Sequence, residues 1–235
     1  ASQTAQAIQR IDRDTQLHQS KLALELAYDA TLEGWVKALE LRHFENEGHC
    51  QRVCHLTMKL IDTLRQGKEG ALAVGFVDED MIHIQRGALL HDIGKLALPD
   101  VIMLKGGPLS DQEWEIVRQH PLYGYQMLGS VHLLAASMDV ILYHHERWDG
   151  RGYPSGLKEE AIPLIARVVG LSDAFDAMSS TRSYRSALHR EKVLGEIQKC
   201  AGVQFDPNLV PILLAMDLTE FDQMLLKHQA VADAA

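Results

Sequence analysis

Apolar residues recur at three- and four-residue spacings along almost the whole chain, and no run alternates β-branched with polar positions. That periodicity predicts an all-α protein. From about Lys21 to Leu41, Leu22, Leu26, Leu32, Trp35, Val36 and Leu39 fall among charged residues, with Gly34 the one breaker. The stretch from Ala1 to about Ser20 is polar and Gln-rich, with sparse apolar positions at Ile8, Ile11 and Leu17. It suits a connecting helix, a two-stranded coil entering from an upstream sensor domain, more than it suits a core element. A coil of that kind would pair two copies of the chain as a homodimer.

Further helices are predicted from Gly48 to Leu64, Asp78 to His91, Asp111 to Leu128, His132 to His145, Ile162 to Ser180, Arg190 to Cys200 and Pro207 to Met216. Ser110 with Glu113 three residues on makes a capping box, and Asp206-Pro207 reads as an N-cap before a first-turn proline. The long irregular stretch is WDGRGYPSGLKEEAI, from Trp148 to Ile162. Loops of that length inside compact domains tend to carry function.

Composition narrows the classes. The 235 residues are enough for one large domain, or for one domain with an extension. A net charge of -9 and a pI near 5.7 argue against a groove that follows a nucleic-acid polymer. A small anionic ligand remains compatible, held by a local cation cluster or a metal. Cys50, Cys54 and Cys200 make no disulfide framework and suit a reducing cytoplasm. No stretch approaches the ~20 apolar residues of a membrane span, and the first residues lack a signal peptide's apolar region.

The chemistry lies in the histidines. In ALLHDIGK, residues 88 to 95, His91 and Asp92 follow directly on an apolar run, where an unpaired Asp92 would be costly to bury. Glu45 and His49 are four apart, His120 precedes Pro121, His144 and His145 are paired, and Asp173 interrupts VVGLSDAFDAM. Singly, each has an ordinary reading as a cap, a surface pair or a satisfied core residue. Together, imidazoles and carboxylates are the ligand set for Fe, Mn or Zn, and eight of them exceed a four-coordinate structural zinc. They suit two or three ions sharing Asp92. Two ions clamped together activate a water and steady both oxygens of a phosphate displacement, so the reaction class is phosphoester hydrolysis.

The order His49, His91-Asp92, His120, His144-His145, Asp173 resembles the HD superfamily of metal-dependent phosphohydrolases. HHERWDGRGYPSGL, containing Gly152, Tyr153 and Pro154, followed by IPLIARVVGLSDAFDAMSSTRSYRSAL, is similar to its HD-GYP branch, and HDIGK, HPLYG and FDPNLV agree. The resemblance covers roughly Thr31 to Leu214. It implies an HD-domain helical bundle extended by extra helices, over 31–218, behind a connecting segment at 1–30 and before a C-terminal tail at 219–235.

The implied activity is cytoplasmic hydrolysis of the bacterial second messenger cyclic di-GMP to linear pGpG, or on to GMP. The cofactors are two or three divalent ions, Fe or Mn. Glu45, His49, His91, Asp92, His120, His144, His145 and Asp173 would be the ligands, with Glu45 deciding whether a third ion binds. Lys95 would reach the scissile phosphate or the bridging water, and Arg182 and Arg185 would grip a phosphate. Asp176 would stand behind the ligands, while Tyr153 would shape the pocket mouth, dock a partner protein or stabilise the loop. Arg42-His43-Phe44-Glu45-Asn46 departs from the family's Arg-Asp-x-Glu-Thr, and Lys105-Gly106-Gly107 from its Lys-Pro-Gly. Competing readings are a cyclic di-GMP receptor with little turnover, and a phosphohydrolase for another nucleotide.

Overall fold

The computed structural model describes residues 2–42, 48–66, 76–181 and 187–232. In chain order the helices are α1 (Ser2–Arg42), α2 (His49–Gln66), α3 (Asp78–Leu90), α4 (Asp100–Met103), α5 (Asp111–Val117), α6 (His120–Leu128), α7 (Met138–Tyr143), α8 (Leu164–Ser179), α9 (Arg190–Lys199), α10 (Val210–Ala215) and α11 (Thr219–Ala232). Short 3-10 helices fill Ile93–Ala97, His132–Ser137 and Glu159–Ala161. Among the described residues there is no β-strand, and the single bridge pairs Ala201 with Phe205. The fold is all-α, as the spacing predicts.

Two apolar clusters flank the centre of the molecule. Leu56, Leu60, Leu171, Phe175, Ile197 and Phe221 belong to one, built from α2, α8, α9 and α11. Leu32, Val36 and Leu39 of α1 join Leu90, Ile93, Leu134 and Ile141 in the other. Between them Val53, Ala88, Val140 and Val169 tie α2, α3, α7 and α8 together. Burying a large aliphatic side chain contributes ~1.5–3 kcal/mol, so these clusters hold the four helices in fixed register.

The hydrophobic stripe of α1 explains how it docks. Leu32, Val36 and Leu39 repeat at four and three residues and are buried, while Ile11, Leu17, Leu22, Leu24 and Leu26 are exposed. Only the last third of a helix ~60 Å long therefore packs on the body. Arg86 on α3 fixes that third by an ion pair with Asp29 at 2.8 Å, its guanidinium lying over the Tyr28 ring.

Several boundaries differ from the sequence pattern for local reasons. The predicted helix from Asp111 to Leu128 is two helices, because Pro121 fixes a new first turn at α6. The Ser110–Glu113 capping box starts α5 as expected. The stretch from His132 begins as a 3-10 helix and becomes α-helical only at Met138. Asp206 does not cap a helix at Pro207; its carboxylate takes Arg167 Nη1 at 2.6 Å and the Asn208 N–H at 2.8 Å, and α10 begins at Val210. Residues 219–235, read as a tail, carry α11, and Phe221 is buried against Phe175.

Candidate metal centre

Helix ends converge on one buried point. His49 is the first residue of α2, His91 follows α3, His120 opens α6, His144 follows α7 and Asp173 lies within α8. Backbone groups at helix ends are not fully used by the helix, and the histidines exploit this. His91 Nδ1 lies 2.8 Å from Ala88 O, His120 Nδ1 2.8 Å from Val117 O, and His144 Nδ1 3.1 Å from Ile141 O. A carbonyl can only accept, so each Nδ1 carries the proton and each Nε2 is left as a lone-pair donor facing inward.

Those nitrogens face Asp92. His120 Nε2 is 3.3 Å and His144 Nε2 3.9 Å from Asp92 Oδ1; His91 Nε2 is 3.5 Å and His49 Nε2 3.7 Å from Asp92 Oδ2. Asp92 thus presents one oxygen to each of two groups: Asp92, His120, His144 and His145, and His49, His91 and Asp92, whose donor atoms lie within 4.8 Å of one another in each group. Asp173 Oδ1 is 3.4 Å from His49 Nε2 at the open edge.

The donor set fits divalent ions. His91 Nε2 is buried and has no hydrogen-bond partner, a costly state unless a cation takes its lone pair. Burial, reinforced by neighbouring imidazoles, holds His144 and His145 well below the usual histidine range, and burial lowers His91 too. These three are therefore neutral at pH 7, as metal ligands must be. Asp92 is ionised: burial disfavours its charge, but the Lys95 ammonium and its hydrogen-bonding neighbours outweigh that and hold it well below the carboxylate range.

His49 is held differently. Its Nδ1 meets Asp176 Oδ2 at 2.7 Å, and Asp176 is itself clamped by Arg52, with Nε 2.6 Å from Oδ1 and Nη2 3.1 Å from Oδ2. Burial lowers the imidazolium's stability, yet the Asp176 and Asp92 carboxylates more than compensate, and without a metal its pKa rises to about 9. Asp176 so stands behind His49, where the resemblance places it. Arg52 was not singled out from sequence, although it shares a helix face with His49 three residues before it.

Lys95 closes the site from the other side, its Nζ 2.5 Å from Asp92 Oδ2. The turn that carries it is pressed against α6: a Cβ on Gly94 would sit 1.9 Å from His120 O and 2.4 Å from Gly124 N. Only glycine permits that approach. The loop after His145 is laid down just as closely, since a Cβ on Gly152 would be 2.5 Å from Glu146 Cα. Glu146 then accepts the Ser155 and Leu157 N–H groups at 2.7 and 3.0 Å, and the Tyr153 ring packs 4.8 Å from that of His145. The Tyr153–Pro154 peptide is cis. Glu45, Arg182 and Arg185 lie outside the described residues.

From the centre a cavity of about 530 Å³ runs outward, walled by His144, His145, Tyr153 and Asp173 at its inner end. The arrangement defines an all-α protein with a buried His/Asp centre for divalent metal, open to a ligand cavity. The HD domain family matches residues 49–209, and the chain belongs to it. That membership implies divalent-metal binding, and the His/Asp cluster is its place in this fold.

A cyclic di-GMP phosphodiesterase of Thermotoga maritima is 38% identical over 180 residues, 76% of this chain and 46% of the relative. A 3'3'-cGAMP-specific phosphodiesterase of Vibrio cholerae is 35% identical over 179 residues, 75% of this chain and 32% of the relative. The chain spans less than half the length of these relatives. A solved cyclic GMP-AMP specific phosphodiesterase of Vibrio cholerae shares the fold, with a TM-score of 0.58 at 21% identity over 87% of this chain and 52% of that one. Among the described residues no helix is long and apolar enough to cross a membrane.

Proposed function

We propose that the chain is a metal-dependent phosphodiesterase domain that opens cyclic di-GMP to the linear dinucleotide pGpG. The observation that carries this reading is the pair of His/Asp groups sharing Asp92, together with relatives named for that activity. Glu45, His49, His91, Asp92, His120, His144, His145 and Asp173 would hold two or three ions, iron or manganese. When bound, such ions would supply Lewis acidity at the phosphoryl oxygens and a water of lowered pKa.

The chain's own residues supply the rest. Lys95 Nζ, already beside Asp92, donates to a non-bridging phosphoryl oxygen and offsets the charge that develops there. Arg182 and Arg185 grip the phosphate and fix its approach. Asp173, at the junction of cluster and cavity, orients the attacking water. Tyr153 lies over His145 and keeps bulk water off the inner end. The exposed leucines of α1 suit pairing with the same helix of a second copy.

A second reading has an observation of its own: relatives named for 3'3'-cGAMP favour a mixed guanine-adenine cyclic dinucleotide. Anaerobic purification, metal analysis and turnover of both cyclic dinucleotides with product separation test the two together. Metal-dependent cleavage lost in Asp92→Ala supports the proposal. Metal-loaded protein that binds either ligand without cutting it would instead indicate a receptor.

A further inference from the structure

The cavity extends well beyond the metal centre, and its outer wall has a chemistry of its own. Arg118, Arg147, Arg151 and Arg167 line it with Trp148 and Tyr153, in a chain whose net charge is -9. Lining carboxylates are few and engaged. Glu146 accepts two loop N–H groups, Asp206 takes Arg167 Nη1, and Asp173 belongs to the His/Asp cluster.

The arginines divide into two kinds. Arg147 is bound to Asp149 and to Gln204 Oε1, and Arg167 is bound to Asp206 with its guanidinium 5.7 Å from the centre of the Trp148 ring. These two build the wall. Arg151 makes no hydrogen bond or ion pair through its side chain among the described residues, and Arg118 reaches Glu115 on the surface while its Cζ lies 6.0 Å from the Tyr153 ring centre. Arg151 is left for a ligand, and Arg118 is held only by an exposed pair with Glu115 that a phosphate can displace. Arg167 Nε, buried without a partner, adds a further donor.

The wall is also preformed. Trp148 N–H donates to Gln204 O at 3.1 Å and Asp149 N–H to Val203 O at 2.9 Å, pinning the loop to the turn before Asp206. A volume of about 530 Å³ falls within the ~300–1000 Å³ of small-molecule sites, more than the scissile phosphate alone would fill.

We propose that this outer chamber is a nucleotide subsite for the half of the cyclic dinucleotide that is not cut, with its phosphate on Arg118 and Arg151 and its purine against the Trp148 indole. Guanidinium forks match phosphate oxygens, and aromatic faces take bases of either kind. The subsite rests on the cyclic-dinucleotide reading above but makes a separate demand on different residues. It explains why a ring of two nucleotides, rather than any phosphodiester, would be turned over efficiently.

The test titrates the full chain, as purified, with GMP and follows tryptophan fluorescence, alongside steady-state kinetics on cyclic di-GMP and on bis(4-nitrophenyl) phosphate. Trp35 and Trp114 lie on α1 and α5, so Trp148→Phe assigns the signal. Quenching by GMP that vanishes in Trp148→Phe and shifts about tenfold in Arg151→Gln is expected. The KM for cyclic di-GMP should rise about tenfold in Arg151→Gln and Arg118→Gln, while the KM for the small diester, which has no second nucleotide, should stay unchanged. Arg151 is exposed and its side chain is unbound, so Arg151→Gln should fold normally. Absence of quenching, or variants that titrate like wild type, would overturn the subsite. Wild type that shows the quench yet leaves cyclic di-GMP intact supports the subsite and defeats the cyclic di-GMP reading.

Discussion

Arg42 Nη2, in the last turn of α1, donates to Leu98 O at 2.6 Å. The same guanidinium bonds Leu96 O and the Asp100 carboxylate, so it grips the C-terminal end of the turn that carries Lys95. Removing it should loosen that turn. Arg42→Gln should cost about 2 kcal/mol, the loss of charge-assisted bonds in a partly exposed site, and urea unfolding would measure it. A change under about 0.5 kcal/mol would mean the grip is incidental.

Behind His49, the Asp176 carboxylate neutralises a buried Arg52. Asp176→Asn removes the carboxylate facing that buried charge, which costs about 3–5 kcal/mol, and frees the His49 ring. Metal affinity should fall about 10–100-fold. Thermal unfolding and a competitive metal titration would report the two effects separately; wild-type affinity would remove Asp176 from its supporting role.

Gly94→Ala should be among the most damaging single-methyl changes in the chain. A Cβ there meets backbone rather than a movable side chain, and overpacking of this kind costs about 3 kcal/mol. The expected result is a large drop in melting temperature with metal loading impaired, because the displaced backbone is that of His120.

Metal-free protein should show a dome of stability against pH. The unfolded histidine pKa is about 6.5. His91, His144 and His145 lie below it in the fold, so the unfolded chain binds more protons and stability falls as pH drops below about 6.5. His49 lies above it at about 9, so its contribution is complete below about 6.5 and is lost as pH rises towards 9. Melting temperatures in chelator across pH 5 to 9 would trace both limbs, and His49→Asn should flatten the alkaline one. A curve rising steadily to pH 9 would contradict the assignment.

Restoring metal should raise the melting temperature and abolish the alkaline limb, because a metal-bound His49 has no extra proton to lose, while the acid limb remains. Binding to the folded state alone contributes about 2.7 kcal/mol at a hundredfold excess over Kd. Equal unfolding with and without chelator would argue that the orphaned His91 Nε2 has no cation to meet.

The sequence made the helices and the histidine set legible, because helical spacing and the paired motifs are local signals. His49, His91, Asp92, His120, His144 and His145 do come together as the motif order implied. What holds them was not legible. Arg42 meets residues more than fifty positions away, Arg52 meets Asp176, and Gly94 faces His120 only once α6 is folded against it. Asp206 misled for the same reason: a local capping pattern gave way to an arginine on α8.

Helix α1 stands clear of the body for most of its length and is seated only through Leu32, Val36 and Leu39, yet it ends at the residue that grips the Lys95 turn. It is a lever with a short arm inside. From Leu32 to Arg42 is ~15 Å of helix, so tilting the outer arm by ~5° about that seat would shift the inner tip by ~1 Å, a displacement large enough to cost a catalytic group ~100-fold.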